Sequence, residues 1–197
     1  IREPYGIVIA CGTGCVCAGA TAAGQEARTG GLGFEFGDEC SGADLGRAGL
    51  RRVWQARDGV IPQTLLTGLF VNRARCADVE ELFVRMYRGD LTEDDLQPMS
   101  KTVFEAAREG DAAAIGILEA GGRYLGLMAA ATARKLGLER EPFKVVMAGS
   151  VFKGDSPVLI DSMRTAIHGA CPKAELVFPR FEPVVGALLL GMERDIE

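Results

Sequence analysis

Residues Tyr5 to Ala10 read YGIVIA, a short apolar run rich in β-branched side chains, and predict a buried strand. The run ends in Cys11-Gly12-Thr13-Gly14-Cys15, where two glycines suit a tight turn. Val16 to Ala20 then resumes as a second strand, so a hairpin is expected with Gly-Thr-Gly at its tip. A third strand is expected over Gln25 to Arg28, after a turn at Ala23-Gly24. Thr29 to Gly33 carries three glycines in five residues and predicts a loop. From Asp38 to Ser41, acidic and hydroxyl residues suit a helix N-terminus, and Leu45, Leu50, Val53 and Trp54 follow at helical spacings.

The chain from Pro62 to Leu138 is helical in pattern almost throughout. Pro62 opens one helix, and Asp78 caps VEELFVRMYRG. Thr92 caps a longer segment that is interrupted near Pro98. Asp111 opens a long helix whose apolar positions Ile115, Leu118, Tyr124, Leu125 and Met128 recur at 3.6-type intervals. The period then changes. Phe143 to Ala148 predicts a strand ending in Gly149-Ser150, Pro157 to Ile167 a helix, Glu175 to Phe178 a strand, and Pro183 to Glu193 a closing helix. Strands first, helices in the middle and a β-α-β-α tail predict a mixed α/β architecture. No repeat, low-complexity tract or long linker divides the chain.

Composition narrows the function. The chain has 197 residues and a formal net charge of −5, enough for one large domain or two small ones with a sizeable core. Mild acidity argues against nonspecific nucleic-acid binding, yet leaves room for a nucleotide held by backbone amides. No apolar run approaches the roughly 18 residues of a membrane span. The longest candidate, Val184 to Met192, carries two glycines. Ile1 is followed by Arg2, Glu3 and Pro4, which is no signal-peptide pattern, so a soluble cytoplasmic protein is expected. Ile1 is also no initiator, so the true start is expected upstream. Cys11, Cys15 and Cys17 are spaced by four and two with no CxxC, and the single histidine, His168, lies far from them. They are expected as small packing residues in a reducing compartment rather than as a metal or disulfide framework.

Three short motifs carry candidate chemistry. Gly12, Thr13 and Gly14 let successive backbone N–H groups approach an anion, with the threonine hydroxyl as a further donor; the same three residues also make an ordinary hairpin turn. Gly149 and Ser150 end a buried strand just before a helix, where α/β folds place nucleotides, with Lys153 close by for a phosphate; a ligand-free turn reads the same way. Asp38 and Glu39 are suited to sugar hydroxyls or acid–base work, and equally to the dipole of a helix start. Ser41 and His168 lack a GxSxG context and make no hydrolase pair.

Taken in order, GIVIACGTG, GGLGFEFGDECSGADLG, VVMAGSVFKG and PVVGALLLG resemble the BadF/BadG/BcrA/BcrD ATPase family. Within it they look like the N-acetylglucosamine-kinase branch of the acetate and sugar kinase, heat-shock ATPase and actin superfamily. The resemblance implies two RNase H-like domains that clasp ATP and substrate. This chain matches the second, C-terminal one, with a mixed sheet and a large helical insertion at about 60–140. Gly12, Thr13 and Gly14 would form the second phosphate loop, with Thr13 near the γ-phosphate. Gly149 and Ser150 would form the adenosine loop, Gly186 the helix beneath it, and Asp38 with Gly31 would face the sugar.

Leu32 stands where the family often has Trp, and Cys15 and Cys40 end motifs that commonly read GTGS and GDEG. These departures bear on the sugar, whereas a phosphate turn that binds through its backbone tolerates Cys15 in place of Ser. The catalytic-base Asp and the first, Mg²⁺-positioning phosphate loop are expected upstream, so no catalytic residue is expected within the chain. The implied reaction is ATP-dependent phosphorylation, with Mg²⁺, of a sugar hydroxyl, expected to be the 6-OH of N-acetylglucosamine or a related amino sugar, in a homodimer. The chain alone, one wall of the cleft, is expected to be inactive. Three other readings are an ATPase activator of an acyl-CoA dehydratase or reductase, a nucleotide- or sugar-sensing module without turnover, and a purely structural or oligomerising domain, which the glycine loops disfavour.

Overall fold

The computed structural model describes residues 5–33, 35–179 and 181. Its strands are β1 (Gly6–Cys11), β2 (Cys15–Ala20), β3 (Glu26–Gly30), β4 (Phe143–Ala148) and β5 (Ala174–Val177). They form one mixed sheet in the order β3-β2-β1-β4-β5. The first three strands make an antiparallel meander, and β4 and β5 run parallel to β1. Parallel neighbours need long crossovers, and the helices supply them. Between β3 and β4 lie α1 (Gly42–Arg57), α2 (Leu65–Ala74), α3 (Val79–Arg88), α4 (Glu93–Arg108) and α5 (Ala112–Lys135), and α6 (Pro157–His168) links β4 to β5.

The predicted hairpin, the third strand and the strand-helix-strand order after Phe143 are present. Four local expectations shift. β3 continues through Thr29 and Gly30, because Thr29 pairs with Cys17 and Gly30 with Val16 despite the glycine-rich composition. Asp38 and Glu39 stand ahead of α1 rather than in it. Asp38 and Cys40 take left-handed φ values of 57° and 67°, which break a helix, and Ser41 becomes the cap by accepting from Asp44 N. Pro62 lies before α2, which starts at Leu65 behind the cap Thr64. α4 runs unbroken through Pro98. One missing ladder hydrogen bond is offset there by burial of Leu96, Met99 and Val103, and by Asp95 accepting from Thr92 N at 2.7 Å. The expected helix from Pro183 to Glu193 lies outside the described residues.

Two glycine stripes set how closely the helices pack. A Cβ on Gly46 would fall on the Leu96 carbonyl oxygen, and one on Gly49 would sit 2.6 Å from the Phe70 ring. On α5, Cβ atoms at Gly122 and Gly126 would strike the Leu159 and Met163 carbonyls of α6. So α1 meets α4, and α5 meets α6, nearly backbone to backbone. α5 also covers the sheet: the Thr132 hydroxyl lies 3.3 Å from Cys17 Sγ, and Leu136 lies 3.0 Å from where a Cβ of Gly19 would be. Ile9, Leu45, Phe70, Leu118, Leu125 and Met163 are fully buried in the core between these layers.

All six cysteines are free thiols, and five of them are buried. Burial pushes the Cys17 thiol up to about 11, so it is protonated at neutral pH, as suits a packing group.

One carboxylate ties two helix starts together. Asp111 Oδ1 accepts from Ala114 N at 2.9 Å and caps α5, while Oδ2 accepts from Leu65 N and from Thr64 Oγ1, both at 2.8 Å, at the start of α2. Burial alone would raise its pKa, but the hydrogen bonds from Ala114, Leu65 and Thr64 outweigh it and hold the carboxyl below its ordinary value.

Two stability predictions follow from these contacts. Gly46→Ala is expected to cost about 3 kcal/mol in urea unfolding through overpacking, whereas Gly68→Ala, with open space around the added methyl, is expected to gain about 0.5–1 kcal/mol. A depressed native pKa stabilises above the unfolded value of about 3.9 and stops doing so as pH falls through the native value. Asp111→Asn is therefore expected to lower stability by about 1–2 kcal/mol at pH 7, and to lose less than the wild type when unfolding is repeated from about pH 4 downward.

Candidate active site

Parallel pairing of β1 with β4 brings Ala10 beside Ala148, so the two strands end together and both candidate loops leave from one edge. Gly149 turns the chain with φ 107°, and a Cβ there would fall on Cys11 O. Only glycine allows that approach. The next residue but one closes the junction, Val151 N donating to Cys11 O at 3.1 Å. Ser150 Oγ lies 3.3 Å from where a Cβ of Gly12 would be, so the two loops touch.

The Gly12-Thr13-Gly14 turn is held from both sides. Gly12 N donates to Gly14 O at 2.8 Å, and Gly12 O accepts from Gly42 N, the first residue of α1, at 2.8 Å. Gln97 Nε2, from α4, donates to Thr13 Oγ1 at 3.0 Å. Gly14 leaves room for Asp38, whose Oδ2 would be 2.7 Å from a Cβ at that position. Asp38 Oδ1 is buried with no hydrogen-bond partner among the described residues. An unmet buried acceptor costs about 1–3 kcal/mol, which makes Asp38 a candidate ligand-binding group beside the turn. The Asp38 loop is itself anchored to β1, because Cys11 Sγ donates to Cys40 O at 3.2 Å.

Gly31 leaves β3 with φ 71°, and its N–H donates to Cys15 O at 2.9 Å, next to the turn. Arg28 Nη2 fixes it by donating to Gly31 O at 2.7 Å. Gly12, Thr13, Gly14, Gly149, Ser150 and Asp38 thus meet at one sheet edge, with Gly31 tied to it, while Gly186 lies outside the described residues. Glu39 parts from Asp38 and lines a separate cavity with Asp44, Arg47 and Arg51. Burial, then the neighbouring Asp44, raises the Glu39 pKa. Ser41 and His168 are both in structural use, Ser41 as a helix cap and His168 through its Nε2, 2.9 Å from Ala174 O.

Beside the turn runs a cleft of about 960 Å³, which motif reading did not find. Gln97, Lys101 and Phe104 of α4 form one wall, and Ser150, Lys153 and Gly154 the other. The Gly154 backbone rests on the Phe104 ring, 2.7 Å from where its Cβ would be. Arg73, Lys101, Arg108 and Lys153 face it against Glu105 and Glu109, an excess of two positive charges suited to an anionic ligand. The sequence signal was faint: positions 97, 101, 104 and 108 share one helix face, without a motif. Among the described residues, no group of three or more His, Cys, Asp or Glu is placed to hold a metal ion, and no helix is long and apolar enough to cross a membrane.

Residues 2–191 match the model of the BadF/BadG/BcrA/BcrD ATPase family. The chain belongs to that family. It is 27% identical over 191 residues to an N-acetylmuramic acid/N-acetylglucosamine kinase of Clostridium acetobutylicum, covering 97% of this chain and 62% of that protein. It is 32% identical over 190 residues to an N-acetyl-D-glucosamine kinase of Dictyostelium discoideum, covering 95% and 59%. The crystal structure of a protein from Chromobacterium violaceum, provisionally named an N-acetylglucosamine kinase, superposes with a TM-score of 0.69 at 28% identity, covering 94% of this chain and 59% of that one. The fold is therefore the α/β, actin-like ATPase fold of the sugar kinases, and this BadF/BadG/BcrA/BcrD family chain spans about three fifths of the length of the curated relatives it matches.

The Gly149 junction makes a sharp prediction. Gly149→Ala is expected to push the ends of β1 and β4 apart and to weaken binding of a non-hydrolysable ATP analogue about tenfold or more, measured by calorimetry with the circular-dichroism spectrum unchanged.

Proposed function

We propose that this protein is the nucleotide-binding part of an ATP-dependent amino-sugar kinase, which transfers the γ-phosphoryl group of ATP to the 6-OH of N-acetylglucosamine or a close relative. One observation carries the reading: the Gly12-Thr13-Gly14 turn, the Gly149-Ser150 loop and the Asp38 carboxylate, whose Oδ1 has no partner among the described residues, meet at one sheet edge beside a cationic cleft. The kinase names of its relatives support the sugar.

In this reading the tip of the Gly12-Thr13-Gly14 turn holds the terminal phosphates, through the Thr13 hydroxyl and the backbone amides at the tip, while the Gly12 N–H stays within the turn on Gly14 O. Gly149 and Ser150 border the adenosine, with Gly186 in a helix beneath. Asp38 is hydrogen-bonded too little within the protein and takes a sugar hydroxyl, and Gly31 shapes the loop beside it. Phosphoryl transfer asks the protein mainly for positioning and charge stabilisation, which a rigid turn and a cationic cleft supply. Mg²⁺ bound with the nucleotide would supply neutralisation of phosphate charge. It commonly keeps water and phosphate ligands with only one or two carboxylates.

The base that takes the hydroxyl proton belongs, in this reading, to a preceding RNase H-like domain, and the helices at about 60–140 are an insertion in the C-terminal one. A cytoplasmic homodimer is part of the same proposal. No observation favours the dehydratase-activator or sensing readings over it.

The test is a screen of N-acetylglucosamine, N-acetylmuramic acid and glucose with Mg²⁺ and ATP, with products identified by phosphorus NMR. The longest natural polypeptide carrying these 197 residues is expected to yield N-acetylglucosamine 6-phosphate, and the chain alone to bind nucleotide without turnover. ATP consumption with no sugar phosphate would sink the proposal, and robust turnover by the chain alone would remove the preceding domain from it.

A further inference from the structure

We propose that Gln97 is a positioning residue for phosphoryl transfer: its amide fixes the Thr13 hydroxyl as an acceptor, so that the hydroxyl proton is left to point at a phosphate oxygen. This rests on the reading of Gly12-Thr13-Gly14 as the phosphate turn, and it adds a residue from a helix that no motif marks.

As the amide is oriented, Gln97 is the donor and Thr13 the acceptor. Gln97 Nε2 donates to Thr13 Oγ1 at 3.0 Å, across 84 residues of chain. A threonine hydroxyl has one proton to give and two lone pairs to accept with. With one lone pair taken by the glutamine amide, the proton is spare. The backbone around it is already committed, Gly12 N to Gly14 O and Gly12 O to Gly42 N. The orientation of the hydroxyl is therefore the remaining freedom at the tip of the turn, and Gln97 removes it.

The contact exists because α1 and α4 approach so closely. Gly42 leaves room for the Gln97 side chain, whose Cγ would lie 3.0 Å from a Cβ there, and Gly46 leaves room for the Leu96 backbone one residue earlier on α4. Gly42 is also the residue whose N–H holds Gly12 O. The start of α1, the second turn of α4 and the phosphate turn are joined at one point. Gln97 lines the cationic cleft together with Ser150 and Lys153, so it stands between the cleft and the turn. Its bond is exposed to solvent, where water competes for it. Its effect belongs in turnover with nucleotide bound rather than in stability.

The experiment uses Gln97→Met, which keeps length and removes the bond, and Gln97→Glu, which keeps shape but can only accept. Both are measured in the longest natural polypeptide carrying the chain, alone and combined with Thr13→Val. Gln97→Met is expected to lower kcat about 3- to 10-fold, with the sugar KM and the melting temperature unchanged. Gln97→Glu is expected to fall further, by about 100-fold, because its carboxylate claims the Thr13 proton and repels phosphate. In the Thr13→Val background, Gln97→Met is expected to cost nothing more. Full kcat in Gln97→Met, Gln97→Glu no worse than Gln97→Met, or a loss that persists undiminished beside Thr13→Val would overturn the assignment. An unmodified protein with no ATP-dependent sugar phosphorylation would instead overturn the kinase reading beneath it.

Discussion

The close approach of β4 to the end of β1 is the constraint on which the site depends. β1 and β4 are parallel neighbours, so their carboxyl ends coincide, but side-by-side strands alone leave two unconnected loops. The junction closes because Gly149 has no side chain to strike Cys11 and because Val151 N then reaches Cys11 O. From that one contact Ser150 comes to lie against Gly12, and the two loops become one surface. A Cβ at 149 would strike the Cys11 backbone and force the two loops apart.

Glycine plays a second and different part in the helical layer. At Gly42, Gly46 and Gly49 the backbone is an ordinary helix, and what matters is the missing side chain. Two helices that would otherwise stand 8–10 Å apart, as side chains usually dictate, come near enough for backbone contact. This lets α4 reach the phosphate turn and form one wall of the cleft. α5 and α6 use the same device through Gly122 and Gly126, and there it serves packing rather than the site. Asp111 sets the relative placement of α2 and α5 by capping both.

Much of this is legible in the linear pattern. YGIVIA and FKVVMA announce themselves as strands because burial selects β-branched and apolar residues in short runs, and Asp78, Thr92 and Asp111 mark helix starts through the acceptors they offer to unpaired N–H groups. The errors share a cause. Thr29 and Gly30 read as loop because composition speaks for local freedom, yet the ladder with Cys17 and Val16 extends the strand. Pro98 read as a break because a local rule penalises it, yet the core under Leu96 and Val103 keeps α4 whole. Asp38 and Glu39 look like a pair in sequence, but Asp38 turns left-handed toward Gly14 while Glu39 faces another cavity.

The sequence by itself determined the element types, the α/β class, the family and the short motifs, because these rest on periodicity, turn chemistry and residue type, all of which are local. It named Gly12, Thr13, Gly14, Gly149, Ser150 and Asp38, and only the family resemblance, not the local pattern, set them around one ligand. Tertiary structure alone decided that they share one sheet edge, that Asp38 keeps an unpartnered oxygen there, and that Gln97 arrives from 84 residues away to hold Thr13. The reason is physical. A motif reports what a segment can do, whereas convergence depends on strand order and on how closely helices pack, and those are set by contacts between residues far apart in the chain.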